Sequence, residues 1–164
     1  MQNLSLTTPR LQLVLQTPDE VLAWIESLLP DQRAHVSQWW IDAVRATQPG
    51  DPWRLSWKVV ELASGLKVGG ISFKGPPDAE GMVEVGYGID PEYQCRGYAT
   101  EATLALVQFA KQSEQVRVVR AHTLNDHHAS LRVLEKSGFH FVGDVIDPED
   151  GPVVRWEQRV DRVD

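Results

Sequence analysis

The chain of 164 residues has one cysteine, Cys95. A single thiol excludes an internal disulfide and any cysteine-built metal site, and it fits a reducing compartment. No apolar run approaches the ~18 residues of a membrane helix. The first ten residues lack the basic start and apolar stretch of a secretory leader. A cytoplasmic protein with no membrane partner is therefore expected. Basic residues are in deficit: 16 Lys and Arg against 23 Asp and Glu leave a formal charge of −7. That is the wrong sign for a nucleic-acid-binding face. The string Gly-x-x-x-x-Gly-Lys-Ser/Thr is missing, which removes the nucleotide P-loop. Repeats, low-complexity tracts and linkers are also missing, and a single domain over residues 8–163 is expected.

What is present is a chain that switches between two periods. Leu11, Leu13 and Leu15 alternate with polar neighbours, as in a half-buried strand. Thr17-Pro18-Asp19-Glu20 reads as a helix start, with Thr17 as cap and Glu20 three residues on; the helix should run to Pro30. A second helix is expected over 36–47. Two alternating runs, 53–62 and 66–73, flank the hairpin signal Ala63-Ser64-Gly65. A strand follows over Met82 to Ile89, then a helix over about 97–112. The last elements are a strand near 116–121, a helix over 130–137 closed by Gly138, and a strand pair over 139–145 and 153–160. Six tryptophans fall mostly in the first half and should be core. Trp39 and Trp40 are adjacent on one helix and cannot share its face, so one of them is left for a cleft or contact.

The richest stretch joins the strand ending at Ile89 to the helix starting near Gly97. A helix start leaves N–H groups unpaired and carries partial positive charge, and small residues at Gly97 and Ala99 let an anion come close. A dinucleotide fingerprint would need Gly-x-Gly-x-x-Gly at this turn, yet Gly86-Tyr87-Gly88 lies inside the strand. What remains is Gln94-x-x-Gly97-x-Ala99.

That string resembles the Gln/Arg-x-x-Gly-x-Gly/Ala signature of the GNAT superfamily of N-acetyltransferases. Ala129-Ser130-Leu131-Arg132-Val133-Leu134-Glu135-Lys136-Ser137-Gly138-Phe139 is similar to a second block of the same superfamily. Thr8-Pro9-Arg10-Leu11-x-Leu13 resembles the branch that acetylates ribosomal-protein N-termini. The resemblance implies a mixed α/β fold: a mostly antiparallel twisted sheet of about seven strands, splayed at the coenzyme A site and flanked by about four helices. It implies an enzyme moving an acetyl group from acetyl-CoA to a primary amine, with a non-catalytic acyl-CoA sensor as the alternative. A monomer or homodimer would suffice, with no metal.

The same resemblance assigns residues. The pyrophosphate would lie on Gln94, Cys95, Arg96, Gly97, Tyr98, Ala99 and Thr100, and the pantetheine along Tyr87, Gly88 and Ile89. The family commonly has Asn three residues before the serine of the second block; here His127 stands there, with Asn125 two positions earlier, and either would take that contact. Acceptor amines are protonated, with a reference pKa near 10.4 for a lysine-like group, and a base must take the proton. Glu84 is either that base, through water, or a carboxylate that draws in a cationic acceptor. Ser130 would protonate the leaving thiolate or cap its own helix, with Tyr87 and Tyr98 as weaker donors. Asp147, Glu149 and Asp150 form an acidic loop that either attracts amines or is merely solvated.

Overall fold

A computed structural model describes residues 4–124, 128–148 and 151–160. The sheet has eight strands in the order β1-β2-β3-β4-β5-β6-β8-β7. They are β1 (Ser5–Thr7), β2 (Leu11–Leu15), β3 (Trp57–Glu61), β4 (Lys67–Phe73), β5 (Met82–Ile89), β6 (Val118–Thr123), β7 (His140–Asp147) and β8 (Gly151–Arg159). The helices among the described residues are α1 (Pro18–Ser27), α2 (Pro30–Arg33), α3 (Gln38–Ala46), α4 (Tyr98–Lys111) and α5 (His128–Lys136), with a 3-10 turn at Pro91–Tyr93. None is long and apolar enough to cross a membrane. Every neighbouring strand pair is antiparallel except β5 and β6. A parallel pair needs a crossover, which α4 supplies.

Local chemistry explains both the agreements and the departures. Thr17 caps α1 as expected: its hydroxyl accepts the Glu20 N–H at 3.1 Å, and the Glu20 carboxylate reaches back to the Thr17 N–H. The helix ends at Ser27, short of Pro30, because Leu28 and Leu29 are extended. A residue before proline is pushed out of the helical region, and Pro30 instead opens the single-turn α2. The run expected from Trp53 becomes strand only at Trp57. Asp51 Oδ1 accepts the N–H groups of Trp53 and Arg54 at 2.9 and 3.1 Å and turns the chain there. The extra strand β1 has three residues, too few to show alternation.

The buried stripe of α4, with Ala102, Leu106 and Ala110 at 0% exposure, packs on the sheet face carrying Leu11, Leu13, Trp57, Val59 and Ile71. Phe109 joins Trp53, Trp57 and Phe73 in an aromatic cluster with ring centroids 4.7–6.2 Å apart. Most tryptophans are packed, as expected, whereas Trp39 is 63% exposed and its neighbour Trp40 lies against the core. One glycine is fixed by close approach. A Cβ on Gly69 would sit 2.3 Å from the Gly88 carbonyl oxygen, so any larger residue there displaces β5.

Candidate active site

β5 and β6 stay paired only from Met82–Val118 to Glu84–Arg120. Beyond that point β5 continues on β4 alone, Val85 opposite Phe73 through Ile89 opposite Gly69, and β6 continues on β8. The strands part, which is the splay expected. A cavity of about 270 Å³ opens between them, lined by Gly86, Tyr87, His122, Thr123, Ser130 and Leu134 among others. One edge of β5 thus presents unpaired backbone to the cavity, a surface that an extended amide-bearing ligand completes as a further strand would.

The same strand runs on into the anion loop. Gly97 adopts φ +81° and caps α4, and Cys95 at φ +63° is the one non-glycine residue with positive φ among those described. Their left-handed backbone folds the loop back on itself. From Cys95 to Thr100 no backbone N–H finds a protein acceptor among the described residues. Glu101 N–H is the first to bond back, to the Gly97 carbonyl at 3.1 Å. A run of free N–H groups at a helix start is an anion site.

Side chains hold that loop rather than fill it. Gln94 donates Nε2–H to the Ile89 carbonyl at 2.9 Å and so serves as a staple. Arg96 lies over the Tyr93 ring, 5.3 Å from its centre, with its side chain half exposed. The Cys95 thiol points to solvent. Tyr98 buries its ring, donates its hydroxyl to Glu61 on β3 at 2.6 Å and is not among the residues lining the cavity. That hydrogen bond lowers the Glu61 pKa and raises that of Tyr98.

The N-terminal motif supplies a clamp that sequence reasoning missed. Arg10 donates Nη1–H to the Arg96 carbonyl at 2.8 Å and Nε–H to Glu101 Oε1 at 2.8 Å, with its guanidinium 4.6 Å from the Tyr98 ring centre. Thr8 Oγ1–H and Arg10 N–H both donate to Glu101 Oε2. Burial pushes the Glu101 pKa up, and these hydrogen bonds outweigh it and leave the pKa below the ordinary carboxylate value. The signal was there in Thr8-Pro9-Arg10 and Glu101, with only their contact hidden.

At the root of the splay Glu84 is engaged on both oxygens. Lys74 Nζ lies 2.8 Å from Oε2 and His122 Nδ1 lies 3.1 Å from Oε1. Arg155 donates Nε–H to His122 Nε2 at 3.1 Å, while the buried Nδ1 lies near Glu84 without a well-aligned hydrogen bond among the described residues. No cluster able to hold a metal stands among the described residues.

Across the cavity, Ser130 is the third residue of α5 and not its cap, because the helix begins at His128. The Tyr87 hydroxyl is buried beside Ser130 without a well-aligned partner among the described residues. Burial raises its pKa, with the Ser130 hydroxyl partly offsetting the rise. Asn125 and His127 lie outside the described residues, as do Glu149 and Asp150.

Comparison with known proteins bears on the family and the fold. A YjdG N-acetyltransferase of Bacillus subtilis (strain 168) is 36% identical over 84 residues, 51% of this chain and 50% of that protein; the chain thus spans about half the length of this curated relative. The ribosomal-protein-S5-alanine acetyltransferase of Vibrio fischeri superposes with a TM-score of 0.73 at 14% identity, over 97% of this chain and 98% of that one. A ribosomal L7/L12 alpha-N-protein acetyltransferase in complex with coenzyme A gives 0.71 at 15% identity, over 93% and 96%. At such identities the likeness is one of fold. The acetyltransferase (GNAT) domain model matches residues 6–140, most of the sequence, and the chain belongs to the GNAT acetyltransferase family.

Proposed function

We propose that this chain moves an acetyl group from acetyl-CoA directly to a primary amine, of a protein N-terminus, a small molecule or an antibiotic, in the cytoplasm. The observation that carries the reading is that one strand, β5, leads from a carboxylate at the root of the splay to the free N–H groups of Cys95–Thr100. The pyrophosphate sits on those N–H groups, and the pantetheine amides pair with the open edge at Tyr87, Gly88 and Ile89. The thioester then lies in the cavity at Gly86.

The reaction asks two things of the residues there. Glu84, through water, takes the proton of the ammonium acceptor, whose nitrogen then forms the C–N bond as the C–S bond breaks. Tyr87 and Ser130, side by side in the cavity, hold the proton that the departing thiolate receives. Cys95 stands on the anion loop, outside that cavity, and no acetyl-enzyme is required.

One observation favours the rival reading, a module that binds acyl-CoA without turnover: both Glu84 oxygens already face cations or donors. Release of free thiol from acetyl-CoA over a panel of amines decides between them. Transfer predicts thiol release with at least one amine, suppressed in Glu84→Gln. Tight coenzyme A binding with no release from any amine would overturn it.

A further inference from the structure

The sheet face carrying Glu84 is built for positive charge. In register, Glu84 stands beside Arg120, Arg120 beside Glu157, and His122 beside Arg155. Registered neighbours point to one side of a sheet, and alternation puts Gly86 and Gly88 on that side as well. Gly70 of β4 lies opposite Gly88, and Lys58 of β3 lies opposite Gly70. This floor of glycines is open, with nothing within 4 Å of a Cβ built on Gly88.

Of the carboxylates on this face, Glu84 is engaged by Lys74 and His122, Glu157 by Arg120 at 2.7 Å, and Asp147, at the far end of β7, has a partner of its own. The cations Lys58, Lys74, Arg120 and Arg155 outnumber them, although the whole chain carries −7. Arg155 and Lys58 form no ion pair with a carboxylate among the described residues, and Arg155 is the one beside His122. Its Nε–H goes to His122, and among the described residues its terminal nitrogens meet no carboxylate. The β7 residue in register with it is Gly143, which has no side chain to cover the guanidinium and open space around it.

We propose that this face selects an acceptor whose amine carries a carboxylate several bonds away, with the amine at Glu84 and the carboxylate on the Nη fork of Arg155. The proposal rests on the acetyl-transfer reading above. A guanidinium fork matches a carboxylate with two parallel hydrogen bonds. The imidazole of His122 separates Glu84 from Arg155, so the acceptor's two groups must be spaced by about the width of that ring plus its two 3.1 Å contacts. An acidic side chain near a peptide N-terminus or a small ω-amino acid meets that spacing, whereas the adjacent carboxylate of an α-amino acid does not. A polycationic amine would face four cations and no unengaged carboxylate, which selects against it.

The test compares matched amines with the full chain and acetyl-CoA. One arm uses the peptide amides Ala-Glu-Ala, Ala-Gln-Ala and Ala-Lys-Ala; the other uses 5-aminopentanoate, 5-aminopentanamide and 1,5-diaminopentane. The arms separate a peptide source of the carboxylate from a small-molecule one. In at least one arm the acid should exceed its neutral amide by about tenfold in kcat/KM, the loss expected for a charge-assisted pair. The diamine or lysine member should be the poorest. Arg155→Gln should level acid and amide, and Arg155→Lys should restore part of the ratio. Equal rates for acid and amide in both arms, or preference for the dication, would overturn the proposal. Calorimetry of the same amines on the coenzyme A-loaded protein reads the acid-to-amide ratio without turnover. Absence of thiol release from acetyl-CoA in both kinetic arms would fell the transfer reading, and the binding ratio would still uphold or overturn the anion site.

Discussion

The two ends of β5 do different work with different materials. Its C-terminal end, through Cys95–Thr100, is made of backbone: N–H groups aimed by two left-handed residues and a helix start. Its N-terminal end, at Glu84, is made of side chains from separate strands, Lys74 just past β4, His122 on β6 and Arg155 on β8. Backbone sites are specified locally and bind what every reaction of this kind shares. Side-chain sites depend on sheet order and are free to diverge, so in the proposed reaction the acceptor is decided there.

The largest effect should come from breaking both ends at once. Gly69→Val drives a side chain into the Gly88 carbonyl and moves β5 itself. We expect a loss of about 3 kcal/mol or more in stability, read as a fall in Tm of roughly 6–12 °C at 2–4 °C per kcal/mol. Unchanged Tm would mean that β5 is not pinned there. Breaking only the backbone end is the next step. Arg10→Met removes the clamp on the Arg96 carbonyl and Glu101. KM for acetyl-CoA should rise about tenfold, the scale of a lost charge-assisted hydrogen bond, with kcat nearly constant; a kcat effect alone would contradict the division of labour.

Tyr87→Phe touches only the chemical end. A drop of about tenfold in kcat is expected, below the full range for a proton donor because Ser130 stands beside it. The double variant with Ser130→Ala should fall further than either single change. A shift in KM for acetyl-CoA without change in kcat would reassign Tyr87 to binding.

Acid sharpens the comparison further. The pKa of Glu101 is lowered in the fold, so its pairing contributes stability that is full above the unfolded value of ~4.3 and is lost as pH falls through the lower folded value. Glu101→Gln should therefore flatten the decline of Tm in that window; an unaltered acid limb would remove the clamp from the account. The smallest effect is expected at Cys95→Gly, which relieves a left-handed residue at some cost in chain entropy. A gain of about 0.5 kcal/mol with unchanged kinetics should follow.

How much of this was legible follows the same division. Met82–Ile89 could be read to the residue, because alternation, glycines and flanking turns all agree, and α4 fell within a residue or two of its expected ends. The anion loop was legible because its residues are contiguous. β1 was not, since Ser5–Thr7 is a strand only by virtue of its partner β2. Nor was the surrounding of Glu84: Lys74, His122 and Arg155 are scattered along the chain and meet only through the order β4-β5-β6-β8. Arg10 was seen as part of a motif, and the carbonyl it holds was not. Ser130 looked able to cap its helix, whereas α5 starts two residues earlier.

In the proposed reaction β5 carries the base at one end and the phosphate site at the other, independently. Steady-state kinetics and coenzyme A affinity of Glu84→Gln, measured together, test it most directly. We expect kcat reduced about 100-fold, the lower range for losing a general base, with coenzyme A affinity within about twofold of the parent. Full kcat, or a loss of coenzyme A affinity in its place, would contradict it.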